Sequence, residues 1–342
     1  MVAAVLVAAT PCSQAAPVEI YGIKSTSLSH SGPEQYEPPA LLYRYLDDGT
    51  GLTPIGNVRL ADETQLRADG LAYSPNLGLW FFEPTPQGPG AQSVLRPLDP
   101  ATAVAGTGTV LPGRNVFGAA FDALDRLWAI DEEADELIRV IPATGQVMES
   151  VGLTLDSSPF DLVFGSGDLA FDSMGQAWIV YHDKFYQVDL STGVMTEMFD
   201  ENGISLYMVG AAFSHLDPSH LHIFDVAISW NNDDLLRYDV DDAFTRHEVV
   251  LKIFDNFNAG RGDLAIAAQV IPPTLAITRS GPDLILSWPQ AAPGWSLYES
   301  PTLGVAPSPW TQVTPPYATS GTDYTHTIPG ATGTSFFRLQ KP

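Results

Sequence analysis

One four-strand pattern occurs twice in direct succession between Phe117 and Phe199, and no other feature constrains the fold of this chain as strongly. The first copy begins Phe117-Gly-Ala-Ala-Phe-Asp-Ala-Leu-Asp-Arg-Leu-Trp128, and the second begins Gly167-Asp-Leu-Ala-Phe-Asp-Ser-Met-Gly-Gln-Ala-Trp178. Short segments that alternate apolar and polar residues are separated by turn residues, which is typical of β-strands. The duplication therefore predicts a repeat protein made mostly of β-structure.

Three types of strand, which form the columns of an alignment of the copies, recur along residues 18–266. One is a strand that ends in alanine and a large apolar residue, as in Gly70–Tyr73, Gly118–Phe121, Asp168–Phe171, Gly210–Phe213 and Asp263–Ile266. A second places a ring in a short apolar strand, at Tyr21, Trp80, Trp128, Trp178 and His222. A third is centred on Arg44, Arg96, Arg139, Gln187 and Arg237, at intervals of 52, 43, 48 and 50 residues. Four strands at this spacing are typical of β-propeller blades.

The columns predict an all-β fold whose main domain is a five-bladed β-propeller. A sixth blade would require that one long connection contains a further copy. The chain enters the pattern at the second column, Val18–Lys24, and last reaches the first column at Asp263–Gln269. We therefore expect these two strands to pair and close the ring, which would remove the free sheet edges.

The sequence changes character after Gln269. We predict a signal peptide at residues 1–16, the propeller at 17–270, a linker at 271–274 and a small β-sandwich at 275–342, with Trp288 and Trp295 in its core. The Ile-Thr-Arg-Ser-Gly-Pro-Asp-Leu-Ile-Leu-Ser-Trp288 opening and the Phe-Phe-Arg-Leu339 close of this tail resemble the fibronectin type III-like module of secreted proteins from Verrucomicrobia-type bacteria. That resemblance implies export and a modular chain.

Charge and cysteine content narrow the class of protein. The chain has 16 basic and 40 acidic residues, a net charge of −24, which disfavours nucleic acid as a partner. An extracellular protein or a glycan is the expected partner. The single cysteine, Cys12, would leave with the signal peptide, so disulfides and cysteine-bound zinc are excluded from the mature chain. No later apolar run approaches a membrane span, and the expected location is secreted or periplasmic.

Long connections predict a functional face at one end of the strands. They are Ser25–Ala40, Pro84–Ser93, Leu155–Gly167, Asp200–Val209 and Ile253–Gly262. Candidate ligand-face residues at that end are Glu83, Asp131, Asp225 and Trp230. Asp69, Asp168 and Asp263 begin inner strands near the expected channel, where carboxylates would bind a hard cation such as calcium. The alternative is structural, since such an aspartate also bonds backbone amides of the adjoining loop.

A short motif links Asp69 to a known family. Ala68-Asp-Gly-Leu71 resembles the Pro-Asp-Gly-Met/Leu signature of gluconolactonase and regucalcin-like propellers. The resemblance implies that Asp69 ligates a divalent metal and that lactone hydrolysis is a possible activity.

Other motifs have structural explanations. His215, Asp217, His220 and His222 suggest zinc, but His222 occupies the column that holds tryptophan elsewhere, which favours a packed core histidine. Arg261-Gly-Asp263 repeats the strand template, so an adhesion motif is disfavoured. The arginine column is expected to pair with acidic residues and to tie blades together.

Two functions remain open from the sequence. No nucleophile elbow, zinc-protease motif or phosphate-binding glycine loop occurs. The favoured interpretation is a non-catalytic secreted binding or scaffolding protein. The alternative is a metal-dependent hydrolase or lyase that acts on a lactone or a polysaccharide.

Overall fold

The computed structural model of the chain describes residues 17–27, 36–84, 92–162, 167–201, 208–214, 220–226, 233–250, 259–267, 274–289, 295–301, 310–321, 323–330 and 335–340. These residues form two compact units, 17–267 and 274–340, and contain strands and turns but no α-helix. Within them, no helix is long and apolar enough to cross a membrane.

The first unit consists of short strands joined largely by turns. Its strands are β1 (Glu19–Ser27), β2 (Tyr36–Leu46), β3 (Thr53–Asn57), β4 (Asp69–Ser74), β5 (Gly78–Pro84), β6 (Ser93–Leu98), β7 (Thr109–Leu111), β8 (Val116–Phe121), β9 (Leu127–Asp131), β10 (Glu136–Ile141), β11 (Gln146–Gly152), β12 (Thr154–Leu155), β13 (Ser158–Pro159), β14 (Asp168–Phe171), β15 (Ala177–Tyr181), β16 (Lys184–Val188), β17 (Val194–Asp200), β18 (Met208–Phe213), β19 (His220–Val226), β20 (Asp233–Asp239), β21 (Thr245–Val250) and β22 (Ala259–Ala265).

These strands form five antiparallel sheets of the repeating type. Their strand orders are β22-β1-β2-β3, β4-β5-β6-β7, β8-β9-β10-β11, β14-β15-β16-β17 and β18-β19-β20-β21, and β12 and β13 extend the fourth sheet beyond β17. The predicted pairing of the first strand with the last is present, since Tyr21–Thr26 of β1 lies against β22. The last strand is Ala259–Ala265, however, and not Asp263–Gln269 as predicted.

The inner strands of the five sheets contact one another in cyclic order. β4 contacts β8, β8 contacts β14, β14 contacts β18, β18 contacts β22, and β22 contacts β4. Five separate hydrophobic cores lie between successive sheets, including one between the fifth and the first. Each side chain fully buried there stabilises the fold by about 1.5–3 kcal/mol. The arrangement is β-propeller-like, with the hydrophobic effect acting mainly between sheets.

The second unit contains two smaller sheets. Its strands are β23 (Ala276–Ser280), β24 (Asp283–Pro289), β25 (Ser296–Ser300), β26 (Thr311–Gln312), β27 (Ala318–Ser320), β28 (Asp323–Ile328) and β29 (Phe336–Gln340), in the orders β23-β24-β28-β27 and β26-β25-β29. Trp288, as predicted, is buried in the core between them with Leu286 and Leu297. Trp295 is only partly buried and lies outside that core, so the prediction for it was wrong.

An aspartate holds the turn between the first two strands of a sheet. Asp122 Oδ1 accepts the backbone N–H groups of Leu124 and Arg126, at 2.8 and 3.0 Å, while its Oδ2 accepts the indole Nε1–H of Trp128 at 3.2 Å. Asp172 makes the equivalent bonds to its own turn and to Trp178. This explains why aspartate precedes tryptophan by six residues in both copies of the duplication.

Replacing Asp122 with alanine is expected to destabilise the fold by about 2–3 kcal/mol, because a buried indole N–H and two turn amides lose their acceptor. The urea midpoint of unfolding measures the effect. Asp189→Ala is the matched control, since Asp189 also accepts bonds from a turn residue, Ser191, but is exposed and contacts no tryptophan. We expect that control to cost less than about 1 kcal/mol. Equal losses in the two variants would contradict the assigned role of Asp122.

The arginine column pairs with acidic residues, but within sheets and not between them. The pairs are Arg44 with Glu19, Arg96 with Glu83, Arg139 with Glu149 and Arg237 with Asp239. Each pair joins residues of a single four-stranded sheet. The pairing was predicted correctly, whereas the prediction that these arginines tie blades together was wrong.

Candidate functional site

Two buried aspartates lie on inner strands of different sheets. Asp168 is the first residue of β14, Asp263 lies in β22, and both are 0% exposed. The inner strands can be aligned on the alanine and the large apolar residue at their ends. The residue two positions before that alanine is then Gly70, Gly118, Asp168, Gly210 or Asp263. Three glycines and two aspartates therefore share one ring of positions.

The glycines permit a close approach of neighbouring backbones. A Cβ on Gly210 would lie 2.9 Å from the carbonyl carbon of Asp263 and 2.9 Å from the nitrogen of Leu264. A Cβ on Gly118 would lie 2.9 Å from the Cα of Asp168. Since real Cβ atoms do not approach backbone atoms so closely, only glycine fits where these inner strands meet.

The aspartates bridge the interfaces that have no such glycine. Asp168 Oδ2 accepts the backbone N–H of Ala211 in β18 at 2.6 Å, and Asp263 Oδ2 accepts that of Leu71 in β4 at 2.5 Å. Asp168 also accepts the N–H of Leu169 at 2.6 Å. Each carboxyl thus connects its own inner strand to the next inner strand of the cycle.

The two carboxyls also interact directly. Burial raises the pKa of Asp168 to about 8, against the lowering effect of its hydrogen bonds to Asp263 and to backbone amides. Burial likewise raises the pKa of Asp263 well above its ordinary value, and the charge of Asp168 raises it further. Two ionised carboxylates have no donor between them, so their hydrogen bond requires a proton on one of them. We call Asp168 and Asp263 the axial carboxyl pair.

The predicted metal ligands Asp69, Asp168 and Asp263 are all buried. Asp69 lies at the start of β4, close enough for its charge to raise the pKa of Asp263, and its Oδ1 accepts the N–H of Gly70 at 3.2 Å. Within the ranges given above, no group of three or more His, Cys, Asp or Glu side chains is arranged to hold a metal ion. Three of the four oxygens of the axial pair accept backbone amide N–H groups, which suit a carboxylate or a shared proton better than a cation. Calcium binding by these three residues stays a prediction.

Two of the predicted ligand-face carboxylates form ion pairs. Glu83 accepts the Nε–H of Arg96 at 2.6 Å. Asp131 is 0% exposed and accepts from Arg114 at 2.7 Å, and Arg114 also contacts Glu136 at 2.8 Å. Burial raises the pKa of Asp131, although the bond from Arg114 opposes this. These carboxylates bind arginine within the unit.

The other ligand-face candidates are placed only in part. Asp225 lies in β19, but its side chain is outside the described residues, as is the whole of Trp230. Parts of each of the long predicted connections also fall outside them, including 28–35, 85–91, 163–166, 202–207 and 251–258. Their role in ligand binding stays a prediction.

The two described histidines of the zinc hypothesis, His220 and His222 of β19, do not converge on one point. His222 is fully buried, as predicted for a core histidine, and its Nδ1 lies 3.3 Å from the hydroxyl of Tyr45 in the first sheet. Burial lowers its pKa to about 4. His220 instead contacts Asp239 at 3.1 Å. His215 and Asp217 of the zinc hypothesis lie outside the described residues.

The Arg261-Gly-Asp263 tripeptide is part of inner strand β22. Both Gly262 and Asp263 are buried there, and Asp263 is bonded to Leu71. An exposed adhesion motif at this position is therefore excluded.

Comparison with known proteins finds only distant likenesses. No protein-family model matches, and no curated protein matches. A protein of unknown function from Bacteroides caccae matches with a TM-score of 0.42 and 11% identity over 72% of this chain and 99% of its own. Virginiamycin B lyase from Staphylococcus aureus matches with 0.37 and 16% over 78% and 77%, and a putative 6-phosphogluconolactonase from Bacteroides uniformis with 0.38 and 12% over 94% and 99%. Likenesses this distant do not indicate a function.

Proposed function

We propose that this chain is a secreted, non-catalytic binding or scaffolding protein. Its first unit would be a five-bladed β-propeller closed by the pairing of β1 with β22, and its second a fibronectin type III-like module. The observation that supports this proposal is that most of the predicted site carboxylates make contacts within the fold. Asp168 and Asp263 accept amides of neighbouring inner strands, and Glu83 and Asp131 bind arginines. These carboxylates stabilise the fold, which leaves ligand binding to surface residues and loops.

Electrophoresis through gels that contain soluble polysaccharides tests this proposal, with reducing-end and lactone-hydrolysis assays run on the same samples. The signal-free chain, residues 17–342, is the protein to use. We expect retention by at least one polysaccharide without cleavage. Cation-dependent turnover of any polysaccharide or lactone would overturn the proposal.

One observation favours the alternative, a metal-dependent hydrolase or lyase. Oδ1 of Asp263 is buried and receives no hydrogen bond from any residue that the structure describes. Asp168 and Asp69 both act on the same carboxyl electrostatically. A cation in place of the shared proton would neutralise this group of carboxylates.

Thermal unfolding with and without about 5 mM calcium separates the two functions. We expect calcium to raise the melting temperature of the wild type no more than it raises that of Asp263→Asn. Amide donors and a shared proton already stabilise the charge of these carboxyls. Magnesium at the same concentration controls for ionic strength. A calcium-specific rise that Asp263→Asn abolishes would identify a metal site and favour the enzyme.

A further inference from the structure

Apolar side chains are exposed in equivalent turns of three consecutive sheets. Leu77 lies in the β4–β5 turn, Leu124 in the β8–β9 turn and Met174 in the β14–β15 turn. They are 45%, 43% and 61% exposed. The first two turns are in direct contact, since Asp125 accepts bonds from Ser74 at 2.6 Å and Asn76 at 2.7 Å. Single exposed apolar side chains are common and larger apolar patches mark interaction sites, so the repetition of such a side chain in three neighbouring turns is the relevant observation.

These turns surround one end of the central channel. The inner strands end here with Tyr73, Phe121, Phe171 and Phe213, which together with Ile266 and inner-strand alanines line an apolar cavity of about 20 Å³. That volume accommodates no more than one or two water molecules. This cavity is therefore too small for a ligand larger than water, and binding at this end would occur on the surface around it.

Acidic turns form a rim at the same end of the sheets. The turns between third and fourth strands carry the exposed residues Asp48, Asp99, Asp189, Asp241 and Asp242. Hydrogen bonds from Thr50, Ala101 and Ser191 lower the pKa values of Asp48, Asp99 and Asp189, so these three are ionised at neutral pH. The described arginines beside these turns, Arg59, Arg126, Arg237 and Arg246, are paired with Glu63, Asp122, Asp239 and Glu201. We call the three apolar side chains and this rim the tight-turn face.

We propose that the tight-turn face binds a cationic protein segment that presents apolar side chains. Charge complementarity selects this partner, because an apolar centre with an anionic rim matches an apolar ridge flanked by Lys or Arg. This inference rests on the proposed binding function and specifies its surface and partner class. The proposed site lies at the end of the sheets opposite the long connections that were predicted to form the functional face.

Fluorescence anisotropy with a synthetic amphipathic Lys/Leu helix tests the proposal on the chain of residues 17–342. A scrambled peptide of identical composition controls for charge alone. The Leu77→Ser, Leu124→Ser, Met174→Ser triple variant is expected to weaken binding by at least about tenfold. The matched control is Val110→Ser, Met148→Ser, Met198→Ser, whose side chains are similarly exposed, at 46%, 44% and 41%, but lie on outer strands. We expect that variant to bind within about twofold of the wild type.

Three results would overturn the proposal. Equal affinity of the wild type and both triple variants would show that charge alone attracts the peptide. Concentration-dependent dimerisation of the wild type that the turn variant abolishes would make a second copy the occupant. Retention in polysaccharide gels combined with a failure of peptide binding would reject this surface and leave the binding function intact, whereas cation-dependent turnover would reject that function itself.

Discussion

Gly210→Ala is expected to destabilise the first unit by about 3 kcal/mol or more, among the largest effects of any single substitution in it. The added methyl group would lie 2.9 Å from backbone atoms of Asp263 and Leu264. A flexible side chain could move away from such a contact, but β22 is held by its pairing with β1 and by the bond from Leu71 to Asp263. The strain would therefore separate inner strands that must lie in contact.

Urea unfolding followed by far-ultraviolet circular dichroism measures this effect. Gly152→Ala is the matched control, because no atom lies within 4 Å of the Cβ that alanine would add there. We expect that change to alter the free energy of unfolding by less than about 1 kcal/mol, in either direction. Coincident unfolding curves for the two variants would show that the inner strands have room to separate, and would contradict the packing described for the ring of glycines and aspartates.

The second large effect concerns pH, and it arises from the axial carboxyl pair. We expect the free energy of unfolding to fall as pH rises from about 6.5 to 8, by up to about 1.4 kcal/mol per pH unit for each carboxyl that retains a proton. Burial raises the folded pKa of Asp168 to about 8 from an ordinary value of 3.8, so the folded chain retains a proton that the unfolded chain has released. This contribution is fully present below about pH 4 and is lost as pH rises through the folded pKa.

His222 acts in the opposite direction at lower pH. Burial lowers its pKa to about 4 from 6.5, so its contribution is present above about pH 6.5 and is lost as pH falls through 4. Between those limits His222 offsets part of the decline caused by the carboxyl pair, so stability is expected to fall less steeply there than above pH 6.5. The decline above pH 6.5 therefore reports on the carboxyl pair.

Asp263→Asn isolates the carboxyl pair. The amide oxygen can still accept the N–H of Leu71, and the amide N–H₂ can donate to Asp168, so the geometry is retained without a shared proton. We expect the variant to be folded and its stability to fall less steeply between pH 6.5 and 8 than that of the wild type, because only Asp168 then retains a proton through burial. Asp131→Asn is the comparison, and should leave most of the decline in place. A decline of wild-type size in Asp263→Asn would show that Asp263 contributes no proton to it.

Much of the fold follows from residues that are local in sequence. The alternation in each short segment and the Asp122-to-Trp128 spacing specify strands and the turn between them, because period-2 burial and a turn-capping carboxylate act over a few residues. The recurrence of those segments predicts similar sheets. The last strand begins and ends earlier than predicted. At the end of a repeat, only the preceding copies are available for alignment, and such an alignment does not define where strand pairing stops.

The candidate sites were harder to predict. Glu83 and Asp131 were selected as ligand-face residues, yet their arginine partners Arg96 and Arg114 lie 13 and 17 residues along the chain and meet them only in the folded unit. The tight-turn face was missed, although the apolar Leu77, Leu124 and Met174 stand in turns where polar residues are usual. An apolar residue in a turn departs from the usual binary pattern, and that departure could have indicated this surface.

By itself, the sequence determined that the chain is a β-repeat and that one position of each inner strand is glycine or aspartate. Only the tertiary structure shows why this position is restricted to those two residues. The inner strands converge until a Cβ at Gly210 or Gly118 would meet neighbouring backbone, and Asp168 and Asp263 then meet from strands that β18 separates. Removal from water prevents both carboxyls from ionising together, so one proton becomes part of the fold. Desolvation of this kind depends on the packing of distant segments, which no local pattern encodes.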